Sequence, residues 1–134
     1  MIVVDASAVI ELLLNTPLGE RVGDRLADAG ETLSAPHLLD VEVLHVVRRH
    51  CAGGTLKERR ARQALADLAE FPVIRYSHQE LIGRAWMMRA TLTAYDAMYV
   101  ALAEALGATV VTCDARLGRA HGHGAEIAVV ALSP

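Results

Sequence analysis

Two apolar runs each end in an acid. Met1-Ile2-Val3-Val4 leads straight into Asp5, and Ala108-Thr109-Val110-Val111-Thr112 leads through Cys113 into Asp114. Continuous β-favouring runs read as strands buried on both faces of a parallel sheet. Both carboxylates are then expected at the carboxyl ends of central strands, where open α/β sheets bind their ligands. An acid there is destabilising unless something pairs with it. Two further acids stand apart from ordinary surface charge. Asp96 follows Thr93 at capping-box spacing and opens an alanine-rich helix. Glu42 lies inside an apolar helix, where its neighbours three and four positions away are Leu38, Leu39, His45 and Val46.

Four carboxylates gathered in one place repel one another and take up protons unless a cation separates them. An oxygen-only ligand set selects a hard ion, Mg²⁺ or alternatively Mn²⁺, over zinc. Such an ion activates a bound water against phosphorus and stabilises the charge that develops on the phosphoryl oxygens. Ser7 and Thr112 are small hydroxyls placed to orient carboxylates or water, and Arg116 is placed to meet a scissile phosphate or a partner's carboxylate. Each acid taken singly also has a structural explanation: Asp96 as a helix cap, Asp114 as a turn residue, Glu42 as a side chain reaching water from the edge of the apolar stripe.

The elements that would position these groups alternate along the chain. Strand Ile2–Val4 precedes a helix Ala8–Leu14 with Ser7 as its N-cap. A second helix, Leu18–Ala29, is closed by Gly30, and a weak strand Thr32–Ala35 stops at Pro36. The apolar helix His37–Arg49 ends before the Gly53-Gly54 turn. Thr55 is expected to cap a helix Leu56–Ala69. Strand Pro72–Arg75 follows, then a helix His78–Ala90 with Leu81, Ile82, Ala85 and Met88 inward. The helix Ala94–Leu106 feeds strand Ala108–Thr112. A turn or short helix Ala115–Ala120, a His121-Gly122-His123-Gly124 loop and a strand Ile127–Val130 complete the chain. This alternation predicts a single α/β domain over residues 1–134, a mainly parallel sheet of about five strands with helices on both faces.

Composition bounds the rest. The chain has 134 residues, 53% hydrophobic and 22% charged, so it can bury a full core. Aromatics are only 4%, which predicts an aliphatic, alanine-rich interior. A net charge of −3 does not announce a nucleic-acid binder, so local charge must carry any such contact. Arg48, Arg49, Lys57, Arg59 and Arg60 cluster around the Gly53-Gly54 turn, either as a solvated surface or as a patch for RNA phosphates or an acidic partner. Cys51 and Cys113 lack metal-ligand spacing and suit a reducing, cytoplasmic setting. No leader or membrane-crossing run is visible, and the mature chain is expected to start at Met1. His121 and His123 have no second ligand pair to complete a zinc site.

Ile-Val-Val-Asp5-Ala-Ser, Pro36-x5-Glu42, Thr93-Ala-Tyr-Asp96-Ala-Met-Tyr-Val-Ala-Leu-Ala and Val-Val-Thr112-Cys-Asp114-Ala-Arg-Leu together resemble the signature segments of PIN-domain ribonucleases, and more narrowly VapC-type toxins of type II toxin–antitoxin systems. The resemblance spans essentially the whole chain. It implies an α/β/α sandwich, an acidic site of Asp5, Glu42, Asp96 and Asp114 with Asp5, Asp96 and Asp114 as metal ligands, Mg²⁺-dependent cleavage of RNA, a homodimer and inhibition by a cognate VapB-like antitoxin. Some members carry a further acid where this chain has Leu117, which favours one firmly held ion. Two other readings remain at this level: a PIN-like module that captures RNA or a partner without catalysis, and another Mg²⁺-dependent phosphohydrolase. Haloacid-dehalogenase enzymes usually need an aspartate at the position of Ser7.

Overall fold

Strands β1 (Ile2–Val4), β2 (Leu33–Pro36), β3 (Val73–Tyr76), β4 (Thr109–Thr112) and β5 (Glu126–Val129) form one sheet in the order β3-β2-β1-β4-β5. All pairings are parallel. This is a computed structural model, and it describes residues 1–132. The chain builds outward from β1 through β2 to β3, then returns to lay β4 on the other side of β1. The strand order therefore reverses between β1 and β4, and a crevice opens at their carboxyl ends. Val4 pairs with Val111, so the residues following β1 and β4 emerge side by side.

One helical layer contains α1 (Ala6–Leu13), α2 (Pro17–Ala29), α3 (Leu38–Ala52) and α4 (Glu58–Glu70), which pack on one another. In the other layer α6 (Ala94–Leu106) crosses β1, β2 and β4 and carries α5 (Ile82–Met87) on its flank. The short α7 (Ala115–Gly118) lies against β4 and β5. The core is aliphatic, as composition predicts: Val3, Val4, Leu39, Val43, Val100, Val110 and Val111 are fully buried. Tyr99 of α6 is the one aromatic among the largest fully buried side chains.

Several element ends differ from expectation. The first helix begins at Ala6 with Asp5, in extended backbone, as N-cap, so Ser7 lies inside the first turn and is not the cap. Thr55 does not cap α4. Its backbone N–H and its hydroxyl both donate to the carbonyl of His50, closing α3, and α4 starts three residues later at Glu58. The expected helix His78–Ala90 is reduced to a 3-10 turn, Gln79–Leu81, and the six residues of α5. Beyond it Met88, Arg89 and Thr91 donate to carbonyls three residues back, tightening the chain so that buried Met88 and Leu92 turn inward. Ile82, expected inside, is 55% exposed as a result.

Candidate active site

Asp5 sits where β1 meets α1, only 6% exposed. Its Oδ2 accepts from the Ser7 hydroxyl at 2.7 Å and the Thr112 hydroxyl at 2.8 Å. Ser7 Oγ in turn accepts from the Cys113 amide at 2.9 Å, and Thr112 Oγ1 from the Asp114 amide at 3.0 Å. One small network thus ties the end of β1 to the end of β4 and spends both hydroxyl protons on a single carboxylate oxygen. Oδ1 takes no hydrogen bond from the described residues. Thr112 is itself fully buried, so it orients Asp5 and does not meet solvent.

Glu42 projects from α3, one turn in from its start. Tyr99 donates its phenolic O–H to Glu42 Oε1 at 2.7 Å, joining α6 to α3. Burial pushes the Glu42 carboxyl above its usual range; the Tyr99 bond opposes this, and the charges of Asp5 and Asp96 add to it. Asp96 is also pushed up, first by burial and then by Asp5. The Tyr99 hydroxyl is held protonated by burial and by Glu42. Asp114 moves the other way. The Arg116 guanidinium holds it below the ordinary carboxyl range, with an ion pair at 3.2 Å and the Arg116 amide donating to Oδ1 at 2.9 Å.

Asp5, Glu42, Asp96 and Asp114 line one open cavity of about 630 Å³, together with Ser7 and Arg116. Ile10, Leu38, Val41 and Val46 give it an apolar wall, and His45 and Tyr95 complete the rim. Residues remote in sequence therefore meet at the switch point. The donor set is all oxygen, and the Glu42 and Asp96 carboxyls, raised first by burial and then by neighbouring carboxylates, would have their negative charge offset by a cation, so the chemistry fits a hard divalent ion. As they stand, no three His, Cys, Asp or Glu side chains among the described residues are gathered tightly enough to hold one.

The basic residues do not join this cavity. Arg48, Arg49, Lys57 and Arg59 are exposed on the α3–α4 hairpin. Arg60 does not belong to that patch: its guanidinium turns inward, donating to the carbonyl of Leu13 at 2.5 Å, with Nη1 buried. The sequence places it with its neighbours, but helix packing brings α1 across its path. Tyr99 is the residue sequence reading missed. Its only signal is a position three after Asp96, one turn along the same helix face. Cys113 is inert at this rim, its thiol pushed up to about 11 mainly by burial.

A parallel sheet with an acidic cavity at its switch point matches a known class, and comparison bears this out. The PIN domain family matches residues 2–122. Ribonuclease VapC12 of Mycobacterium tuberculosis is 43% identical over 131 residues, 98% of this chain and 100% of that protein. Among solved structures, M. tuberculosis VapC20, described as a Sarcin-Ricin loop cleaving toxin, superposes with a TM-score of 0.68 over 92% of this chain and 97% of that one, at 17% identity. DNA-bound VapBC from Salmonella typhimurium gives a TM-score of 0.70 over 96% of both chains, also at 17% identity. These two share the fold. The chain belongs to the PIN-domain family and, within it, to the VapC ribonucleases.

Proposed function

We propose that this protein is an endoribonuclease toxin that hydrolyses RNA phosphodiester bonds with the help of Mg²⁺, or Mn²⁺ in its place, and is silenced by a small VapB-like antitoxin. The observation that carries this reading is the convergence of Asp5, Glu42, Asp96 and Asp114 on one cavity, in a chain so similar to a named ribonuclease. Asp5, Asp96 and Asp114 would hold the ion; when bound, it supplies charge neutralisation and a more acidic water. The chain's own groups supply the rest. Ser7 and Thr112 fix Asp5 by one oxygen and leave the other available. Tyr99 fixes Glu42 by Oε1, leaving Oε2 to accept the proton of an attacking water. A carboxyl raised by burial is a better base for that task than an ordinary one. Arg116 offers positive charge to the phosphate.

The reading includes a homodimer and a cytoplasmic setting. Among the described residues no helix is long and apolar enough to cross a membrane. Antitoxin-free protein should cut RNA with Mg²⁺ present and stop in excess chelator. Asp5→Asn should lower the rate by more than the roughly 10- to 100-fold that loss of a group supporting a metal ligand costs. Undiminished cleavage by that variant would remove the mechanism. A second reading, capture of RNA or a partner without catalysis, draws on the lack of a tightly gathered ligand group among the described residues; growth inhibition that survives Asp96→Asn would favour it.

A further inference from the structure

Asp96 and Arg116 each face two cavities. Beyond the acidic one, they also line a second groove of about 450 Å³, whose other walls include Thr91, Thr93, Arg119 and His121. The two cavities therefore lie side by side, with Asp96 and Arg116 forming the wall between them. Charge is distributed unevenly between them. In the acidic cavity four carboxylates face one arginine, and that arginine is paired with Asp114. In the groove, Asp96 faces Arg116 and Arg119. Arg119 is exposed, and among the described residues its guanidinium has no hydrogen-bond or ion-pair partner. The far wall is firmly held. The Thr91 hydroxyl donates to the carbonyl of His121 at 2.8 Å. Glu104 of α6 accepts from the Gly124 amide at 2.7 Å and grips Arg84 at 2.7 and 2.9 Å, so the loop carrying His121 is tied to α6 and to α5.

The sequence pointed to the α3–α4 hairpin for phosphate contact. Arg48 and Arg49 lie six and seven residues beyond Glu42, roughly 9–10 Å further along the helix axis. Arg48, Arg49, Lys57 and Arg59 of the hairpin do not line the acidic cavity. A strand cut at the acids must leave the cavity past one of its walls, and beyond the wall made by Asp96 and Arg116 lies Arg119, whose positive charge has no partner among the described residues.

We propose that this groove is the path by which single-stranded RNA leaves the cleavage point, with Arg119 meeting a phosphate beside the scissile one and His121 flanking it. The inference rests on the ribonuclease reading and adds to it a direction for the substrate. RNA is favoured over a protein occupant because the groove shares Asp96 and Arg116 with the cavity where a phosphodiester would lie, and its free charge is positive.

The test is binding of a fluorescein-labelled single-stranded RNA of mixed sequence, across a salt series, to full-length protein carrying Asp5→Asn so that nothing is cut. Each phosphate contact on a single strand contributes about 0.7 to the slope of log K against log salt. Adding Arg119→Ala is expected to lower that slope by about 0.7 and weaken binding about fivefold at about 0.1 M salt, the size of one such term relative to 1 M. Arg119→Lys should keep the slope, and Arg25→Ala, a charge-matched change on α2, should alter neither quantity. If wild-type protein cuts RNA while Arg119→Ala leaves slope and affinity unchanged, the groove is not the strand's path, and the ribonuclease reading stands. If Arg119→Ala weakens binding of the antitoxin and not of RNA, the groove belongs to the inhibitor and the proposal is overturned. If wild-type protein neither binds nor cuts RNA, both readings fall together.

Discussion

Asp96 and Glu42 bind their protons more tightly in the folded chain than in the unfolded one. Their contribution to stability is complete below the ordinary carboxyl values of 3.8 and 4.5 and is lost as pH rises through the raised folded values. Asp114 works in reverse. Its contribution is present above 3.8 and is lost as pH falls through its lowered value. At neutral pH the metal-free site therefore holds two carboxylates whose charge is disfavoured, first by burial and then by neighbouring acids. Asp96→Asn should raise the Tm of metal-free protein by about 1–4 °C while abolishing cleavage, as calorimetry and an RNA assay would show; a lowered Tm would contradict the electrostatic account. Tyr99→Phe keeps the buried ring and removes only the bond to Glu42. A hydrogen bond to a charged acceptor is worth about 1.5–3 kcal/mol. Its loss should lower kcat and move the acid limb of the pH–rate profile to higher pH, because the bond lowers the pKa of Glu42. Unchanged cleavage at every pH would show that Tyr99 only fills space.

At the scale of elements, the site depends on how α1 leaves β1. The helix starts at once, without a side-chain cap, and this frees Ser7 to hold Asp5. α1 is held in turn by α2, and the approach is very close at Gly19. A Cβ there would lie 2.0 Å from the Glu11 carbonyl oxygen, which is backbone and has no room to yield. Gly19→Ala should destabilise the fold by about 1–3 kcal/mol, measured by urea denaturation, with the helix pair forced apart. Strand–helix alternation was readable because it is a local pattern: buried runs, N-caps such as Thr93, and glycines such as Gly30 and Gly107 in left-handed conformation at helix ends. Helix lengths were less readable. Thr55 has the right residue type for an N-cap, yet it serves the end of α3, and α5 stops early because Met88 and Leu92 find burial only if the chain turns.

For the whole molecule, the parallel order β3-β2-β1-β4-β5 gathers acids scattered from residue 5 to residue 114 onto one rim. If a divalent cation belongs there, it binds the folded chain in preference to the unfolded one. At about 100 times its Kd it should add about 2.7 kcal/mol of stability. Mg²⁺ or Mn²⁺ should accordingly raise the Tm of wild-type protein, and Asp5→Asn should abolish the shift. An equal shift in both proteins would place the ion elsewhere. A net charge of −3 conceals this arrangement, because it sums 13 basic and 16 acidic residues over the whole chain and carries no record of where four of the acids gather.

The amino-acid sequence by itself determined the class of fold and identified Asp5 and Asp114. Both follow from short-range pattern: apolar runs that must be buried on two faces, each ending in a charge that burial would not tolerate without a reason. Asp96 and Glu42 were legible as site residues only through the resemblance of their segments to a family, and the tertiary structure alone decided that Tyr99 holds Glu42 across 57 residues, that Arg60 turns inward, and that Arg119, unpartnered among the described residues, stands beside the acids. The Tyr99, Arg60 and Arg119 placements depend on strand order and on which helix crosses which, and no local pattern of residues encodes them.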